Sequence, residues 1–269
     1  MSAIGLLCIS LVATAGKVQD LINLQKDVDV GLREERDYTV LRSFYHDSNA
    51  FTQGLEFVNG TLIEGTGLYK GQSRLRRVNP SNGAVMSDRQ LADHLFGEGI
   101  TRLPGDRILQ LTWRENTGII YSFPNLNPIS SFAYKTYTGE GWGVVYDAKR
   151  NEIVVSDGSQ MLFFWDPVTF EEKRRLEVFF RTRRLLHINE LEMHEGDLLA
   201  NLWYKDVIVR IDLDSGLVKQ VYDFKNLYPA TTRSKHDDCF NGIALNHATG
   251  TLYLTGKFWP FMFEVKLRH

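Results

Sequence analysis

Gln53-Gly54-Leu55, Glu98-Gly99-Ile100, Trp142-Gly143-Val144, Asn189-Glu190-Leu191 and Asn241-Gly242-Ile243 recur along the chain at intervals of 45, 44, 47 and 52 residues. Each phrase places a polar residue or tryptophan before a small or acidic residue and then an aliphatic one. A turn follows every time: Asn59-Gly60, Pro104-Gly105-Asp106, Ala148 to Asn151, Glu195-Gly196-Asp197, or His247 to Gly250. A β-rich run comes next, then a second hairpin. Strands ending in phrases such as Phe164-Trp165-Asp166-Pro167 and Arg210-Ile211-Asp212-Leu213 complete the unit. A repeat of roughly 40–50 residues with about four strands is the pattern of a β-propeller blade. The predicted fold is all-β: a five-bladed β-propeller of four-stranded antiparallel blades. One or two β-sandwiches would need no such phased repeat.

Outward from the repeats, the last unit, Asn241 to Leu267, holds only three strands. A strand over Tyr38 to Tyr45 precedes the first unit without a partner. It is therefore expected to complete the last blade and close the ring, which leaves no open blade interface. The propeller domain is placed at 38–269. Residues 16–37 are polar and read as a lead-in. Before them, Ile4 to Ala15 is apolar but too short to span a bilayer, which takes roughly 20 residues. Its end, Ala13-Thr14-Ala15, fits a signal cleavage site, although Met1-Ser2-Ala3 carries no basic residue. A signal peptide over 1–15 would send the chain to a secretory or periplasm-like compartment, with no stable membrane insertion. Cleavage would leave Cys239 without Cys8 and so without an internal disulfide. Asn59-Gly60-Thr61 is a glycosylation sequon and, more simply, a hairpin turn.

The formal net charge of the 269 residues is −2, with 31 Lys plus Arg against 33 Asp plus Glu. That balance argues against nucleic acid as a partner, because phosphate binding needs a basic surface. The basic runs Lys173 to Arg175 and Arg181 to Arg184 are broken by apolar residues and read as solvated loop or edge strand. A closed propeller can act as a monomer.

The innermost strand of each blade borders the central channel, so residues of equal phase form a ring. One ring is Gln53, Glu98, Trp142, Asn189 and Asn241. A second phase, at the end of the next strand, gives Thr66, Trp113, Asp157 or Gly158, Trp203 and Lys257. Buried amides and charges cost free energy unless paired. Convergent polar groups among aromatics therefore mark a binding site. Plainer roles stand beside this one. Asn189 and Asn241 can cap strands across the channel, and Glu98 with Lys257 can be a structural ion pair. The glycines at Gly54, Gly99, Gly143 and Gly242 answer crowding at the axis. Trp165 and Trp259 fall off phase and belong to blade packing. His46-Asp47 and His236-Asp237-Asp238 lack zinc-site spacing and read as turn chemistry, so no metal is assigned.

Several phrases also resemble a known family. They are His46-Asp47-x-x-Ala50-Phe51-Thr52-Gln53-Gly54-Leu55, Phe96 to Thr101, Gly139-Glu140-Gly141-Trp142-Gly143, Ile188 to Glu192, Asn241 to Ala244, and Thr255-Gly256-Lys257-x-Trp259-Pro260. Together they are similar to the plant and bacterial type of glutaminyl-peptide cyclotransferase, in order and over nearly all of Tyr38 to Leu267. The resemblance implies a five-bladed propeller that converts N-terminal glutamine of peptides or proteins to pyroglutamate with release of ammonia. It implies site positions at Phe51, Gln53, Glu98, Trp113, Trp142, Asn189, Trp203 and Lys257. Such a site needs a proton carrier, and Glu98 is the sole acid of the inner ring. Lys257, with Gln53 or Asn189, could stabilise the oxyanion. Phe51 and the three tryptophans would bind substrate and exclude water. No cofactor enters this scheme. The competing function is a non-catalytic propeller that binds a peptide or glycan in its channel.

Overall fold

The computed structural model describes residues 38–268. The expected signal peptide, Cys8 and the lead-in over 16–37 lie outside the described residues. The first strand, β1, is Tyr38–Tyr45. Blade 1 contains β2 (Thr52–Val58), β3 (Thr61–Thr66), β4 (Arg74–Val78) and β5 (Val85–Gln90). Blade 2 contains β6 (Gly97–Leu103), β7 (Arg107–Thr112), β8 (Thr117–Ser122) and β9 (Pro128–Ala133). Blade 3 contains β10 (Val144–Asp147), β11 (Glu152–Ser156), β12 (Met161–Trp165) and β13 (Glu172–Glu177). A small hairpin, β14 (Phe179–Phe180) and β15 (Arg183–Arg184), leads into blade 4. Blade 4 contains β16 (Ile188–His194), β17 (Asp197–Leu202), β18 (Val207–Ile211) and β19 (Val218–Asp223). Blade 5 contains β20 (Phe240–Asn246), β21 (Thr251–Gly256) and β22 (Phe261–Leu267), with β1 as its outermost strand. β1 runs antiparallel to β22 from Tyr38↔Leu267 to Tyr45↔Phe261.

Burial falls from the axis outward. Every residue of β3, β11 and β17 is buried, whereas every residue of β5 is exposed. Apolar side chains fill the seams between blades. Val58, Ile63 and Leu75 meet Ile100, Ile108 and Tyr121. Leu109 and Leu111 meet Val144, Val155 and Trp165. Leu199 and Ile208 meet Ile243, Leu254 and Trp259. Each such side chain contributes about 1.5–3 kcal/mol when fully buried. Trp165 and Trp259, both 1 % exposed, therefore belong to packing.

At the axis the seams are also joined by polar contacts. Gln53 Nε2 donates to Glu98 at 2.9 Å, and Gly99 N–H donates to the Trp142 carbonyl at 2.8 Å. The Ser156 hydroxyl donates to the Asn189 carbonyl at 2.7 Å, and Gly242 N–H to Asn201 Oδ1 at 2.9 Å. Asn241 Nδ2 donates to the Thr52 carbonyl at 3.0 Å. Space here suits glycine: a Cβ on Gly99 would lie 2.5 Å from the Trp142 carbonyl oxygen, and one on Gly143 2.1 Å from that of Asn189. The turn at Asn59-Gly60 has φ of 48° and 78°, the left-handed pair expected of a tight hairpin.

Candidate active site

The two phases read from the sequence meet because of strand register. Thr52 pairs with Thr66, Gly97 with Thr112, Ile188 with Leu202, and Phe240 with Gly256. The start of each inner strand thus lies beside the end of its neighbour, at one end of the channel. In the same four pairings the register slips by a bulge: Thr52/Gly54, Gly97/Ile100, Ile188/Leu191 and Phe240/Ile243. Gln53, Glu98, Asn189 and Asn241 all sit inside these slips. A bulge leaves a residue out of the ladder and re-aims its side chain.

Glu98 is at the centre of the cluster and only 4 % exposed. Burial holds its carboxyl well above the usual carboxylate range; the Lys257 charge opposes this, and Glu140 and Glu115 add to it. Gln53 commits its amide N–H to Glu98, so its Oε1 is the free end, buried without a hydrogen-bond partner. Asn189 Oδ1 is buried and unpartnered as well. Such atoms are costly in a resting site unless something occupies them. Asn241 uses its amide N–H to hold Thr52, which is the capping role, while its Oδ1 is likewise buried without a hydrogen-bond partner. Lys257, 4 % exposed, lies 4.6 Å above the Phe51 ring and acts on Glu98 through its charge.

Two aromatic walls flank these groups. One joins Phe51 to Phe96 at 6.0 Å and Phe96 to Trp113 at 5.5 Å, with Phe258 behind Phe51 at 5.1 Å. The other sets Trp142 edge-on to Trp203 at 5.4 Å, with Tyr204 beside Trp203 at 4.8 Å. Trp113, Trp142 and Trp203 are half-buried, each with part of its surface open to solvent. At the second phase of blade 3, Gly158 is the position that meets the wall. Its φ is 77°, and a Cβ there would lie 2.6 Å from the Trp142 ring. Its neighbour Asp157 accepts from Thr138 and Ser159 and so holds loops. Thr66 accepts from Arg74 N–H.

The sequence profile of a family described as glutamine cyclotransferase matches residues 10–267. The chain belongs to the glutamine cyclotransferase family. It is 36% identical over 232 residues to a glutaminyl-peptide cyclotransferase of Arabidopsis thaliana, which covers 85% of this chain and 71% of the plant protein. It also resembles the crystal structure of Myxococcus xanthus glutaminyl cyclase, with a TM-score of 0.78 and 33% identity, over 86% of this chain and 96% of that one.

Within this cyclotransferase, His46-Asp47 does more than make a turn. His46 is buried, with Nδ1 2.5 Å from the Trp259 carbonyl oxygen and Nε2 2.9 Å from Glu64 Oε1. Arg76 bridges Glu64 and Asp47, at 2.8 Å to each. Burial pushes the Glu64 carboxyl up, but the charges of Arg76 and His46 outweigh it and hold it well below the usual range. The Thr52 hydroxyl, next to Gln53, donates to Glu64 at 2.6 Å. The network therefore fixes both the strand that carries Gln53 and the turn that carries Lys257. Sequence phase alone could not find it, because Glu64 and Arg76 sit in the middle of β3 and β4. His236 stacks on Phe258 at 4.5 Å and reaches the Ser48 carbonyl. Among the described residues, no group of three or more His, Cys, Asp and Glu side chains is arranged to hold a metal ion.

Proposed function

We propose that this site converts the N-terminal glutamine of peptides and proteins to pyroglutamate. The observation that carries this is a buried carboxyl, Glu98, which burial holds well above the usual carboxylate range, set with Lys257 and buried amide oxygens that have no hydrogen-bond partner, and walled by tryptophan. In the reaction the neutral α-amine forms a bond to the side-chain carboxamide carbon. Glu98 takes a proton from that nitrogen and delivers it to the leaving amide nitrogen, which departs as ammonia. One bond forms, one C–N bond breaks, and the proton count closes. Lys257 faces the negative charge that develops on the carboxamide oxygen. Gln53 orients Glu98, while Gln53 Oε1 and Asn189 Oδ1 accept N–H groups of the substrate. Nucleophile and electrophile belong to one residue, so holding the bent conformer between the walls supplies much of the rate. Phe51, Trp113, Trp142 and Trp203 hold that conformer and exclude water, which favours ring closure over hydrolysis.

The scheme uses no cofactor and no metal. It is tested by ammonia release from a Gln-starting peptide, with and without a chelator. Equal release in both arms is expected; no release at all would favour a binding protein, and loss with chelator would require a metal. We further propose a secreted monomer. N-terminal sequencing of the mature chain, expected to begin after Ala15, and light scattering check those two statements.

A further inference from the structure

A bridge crosses the mouth of the site that the acid–base scheme leaves unused. Trp113 follows the second strand of blade 2, and Trp142 precedes the first strand of blade 3. Glu140 stands between them. Its Oε2 accepts the Trp142 indole N–H at 3.0 Å. Its Oε1 accepts from Arg114 Nε at 3.1 Å and lies 3.1 Å from Arg114 Nη2. The Arg114 guanidinium in turn lies 3.8 Å from the centre of the Trp113 ring. The backbone around the bridge is pinned too. The Thr136 hydroxyl donates to the Glu140 carbonyl at 2.7 Å, and Gly141 N–H to the Trp113 carbonyl at 2.8 Å.

We propose that Glu140 and Arg114 form a clasp that sets the spacing of the two tryptophan walls, and that both are positioning residues for glutamine recognition. The inference rests on the cyclotransferase assignment of the site. Its physical basis is pre-organisation. A half-exposed indole has several accessible orientations, and ordering it at binding costs affinity. A carboxylate on its N–H and a cation on its neighbour's face fix both rings beforehand. The clasp has a second effect on the chemistry. The Glu140 charge adds to the burial that lifts the Glu98 carboxyl. Arg114 pairs with Glu140 and so sets a positive charge against it, and its removal is expected to strengthen that effect.

The two functions separate by substitution. E140Q keeps an acceptor for Trp142 but removes the charge, and E140A removes both. R114A frees the Glu140 charge, and R114K keeps a cation while losing the planar stack. The measurements are kcat and KM of a Gln-starting peptide across pH, with acrylamide quenching of tryptophan fluorescence in each variant and in W142F. E140A is expected to raise KM about tenfold with kcat within about threefold, and to make the tryptophans easier to quench. That quenching gain should vanish in the W142F background. E140Q should move the acid limb of kcat to lower pH and R114A to higher pH, with R114K near wild type. Wild-type KM and quenching in E140A, or limbs that move the same way in E140Q and R114A, would overturn the clasp. If the wild type released no ammonia, the cyclotransferase assignment would fall, and the quenching series alone would decide the clasp.

Discussion

Glu98 has one hydrogen-bonding neighbour that a glutamine would preserve, since Gln53 Nε2 can donate to an amide oxygen as well as to a carboxylate. Glu98→Gln should therefore fold normally and lose its proton carrier. A drop in kcat of about 10²–10⁴ is expected, with an unchanged unfolding temperature. Turnover near the wild-type rate would remove Glu98 from the mechanism. The pH profile carries the sign of its environment. Glu98 is active as the carboxylate when it accepts the amine proton, so activity rises with pH through its pKa. Burial holds that pKa well above the usual carboxylate range, so the acid limb should lie above that range too. Lys257 lowers it, hence Lys257→Gln should push the limb to still higher pH. Trp113 packs on Phe96 and under Arg114 as part of a substrate wall. Trp113→Ala should accordingly raise KM more than it lowers kcat, measured by initial rates on the same peptide.

At the scale of the element, the bulge is what converts a repeat into a site. The five phrases were legible because crowding at the axis restricts the residue after each site position. Glycine is required where the next blade's backbone comes within 2.5 Å or less of a Cβ, as at Gly99 and Gly143. Blade 4 departs from glycine because Glu190 uses its side chain to reach two other blades. Phase therefore singled out Gln53, Glu98, Trp113, Trp142, Asn189, Trp203 and Lys257 as candidates. It could not find Glu140, Arg114, Glu64 or Arg76, which themselves lie out of phase. Nor could it choose between Asp157 and Gly158. That choice depends on the Trp142 ring lying across a residue with positive φ, which only the three-dimensional arrangement shows. Gly158→Ala tests the point. Its Cβ would meet the Trp142 ring at 2.6 Å in a backbone conformation that alanine disfavours. The expected result is a loss of about 1–3 kcal/mol of stability together with a raised KM. Gly60→Ala, with φ of 78° and no atom near its Cβ, is the control and should cost stability alone.

At the scale of the whole molecule, three glutamates further along the inner strands than Glu98 tie the propeller together, and their burial predicts how its stability responds to pH. Glu190, from blade 4, accepts Leu55 N–H of blade 1 at 3.2 Å and Ile243 N–H of blade 5 at 2.9 Å. Glu192 accepts Leu245 N–H of blade 5 at 2.9 Å. Glu56 of blade 1 accepts the Thr101 hydroxyl and Arg102 N–H of blade 2, at 3.2 and 3.3 Å. Burial raises all three carboxyls. Glu56 is pushed up to about 7; Glu190 and Glu192 lie well above the usual range, with Glu192 adding to Glu190 and Glu56 adding to Glu192. A carboxyl whose pKa is higher in the folded state binds more protons folded than unfolded. Its contribution is present below the unfolded pKa and is lost as pH rises through the folded one. Glu64 has the opposite sign: held low by Arg76 and His46, it contributes above its unfolded pKa and loses that only in strong acid. Between pH 5 and 8 Glu64 is therefore constant while Glu56 ionises. The melting temperature should fall across that interval, by about 5 °C or more. Glu56→Gln should flatten the fall and raise the melting temperature at pH 8, because the amide still accepts from Thr101 and Arg102 but carries no charge beside Glu192. Calorimetry of both proteins at pH 5, 6, 7 and 8 measures this. A melting temperature that rises with pH in the wild type, or a slope that Glu56→Gln leaves untouched, would show that ionisation of Glu56 does not govern the stability of the propeller over this range.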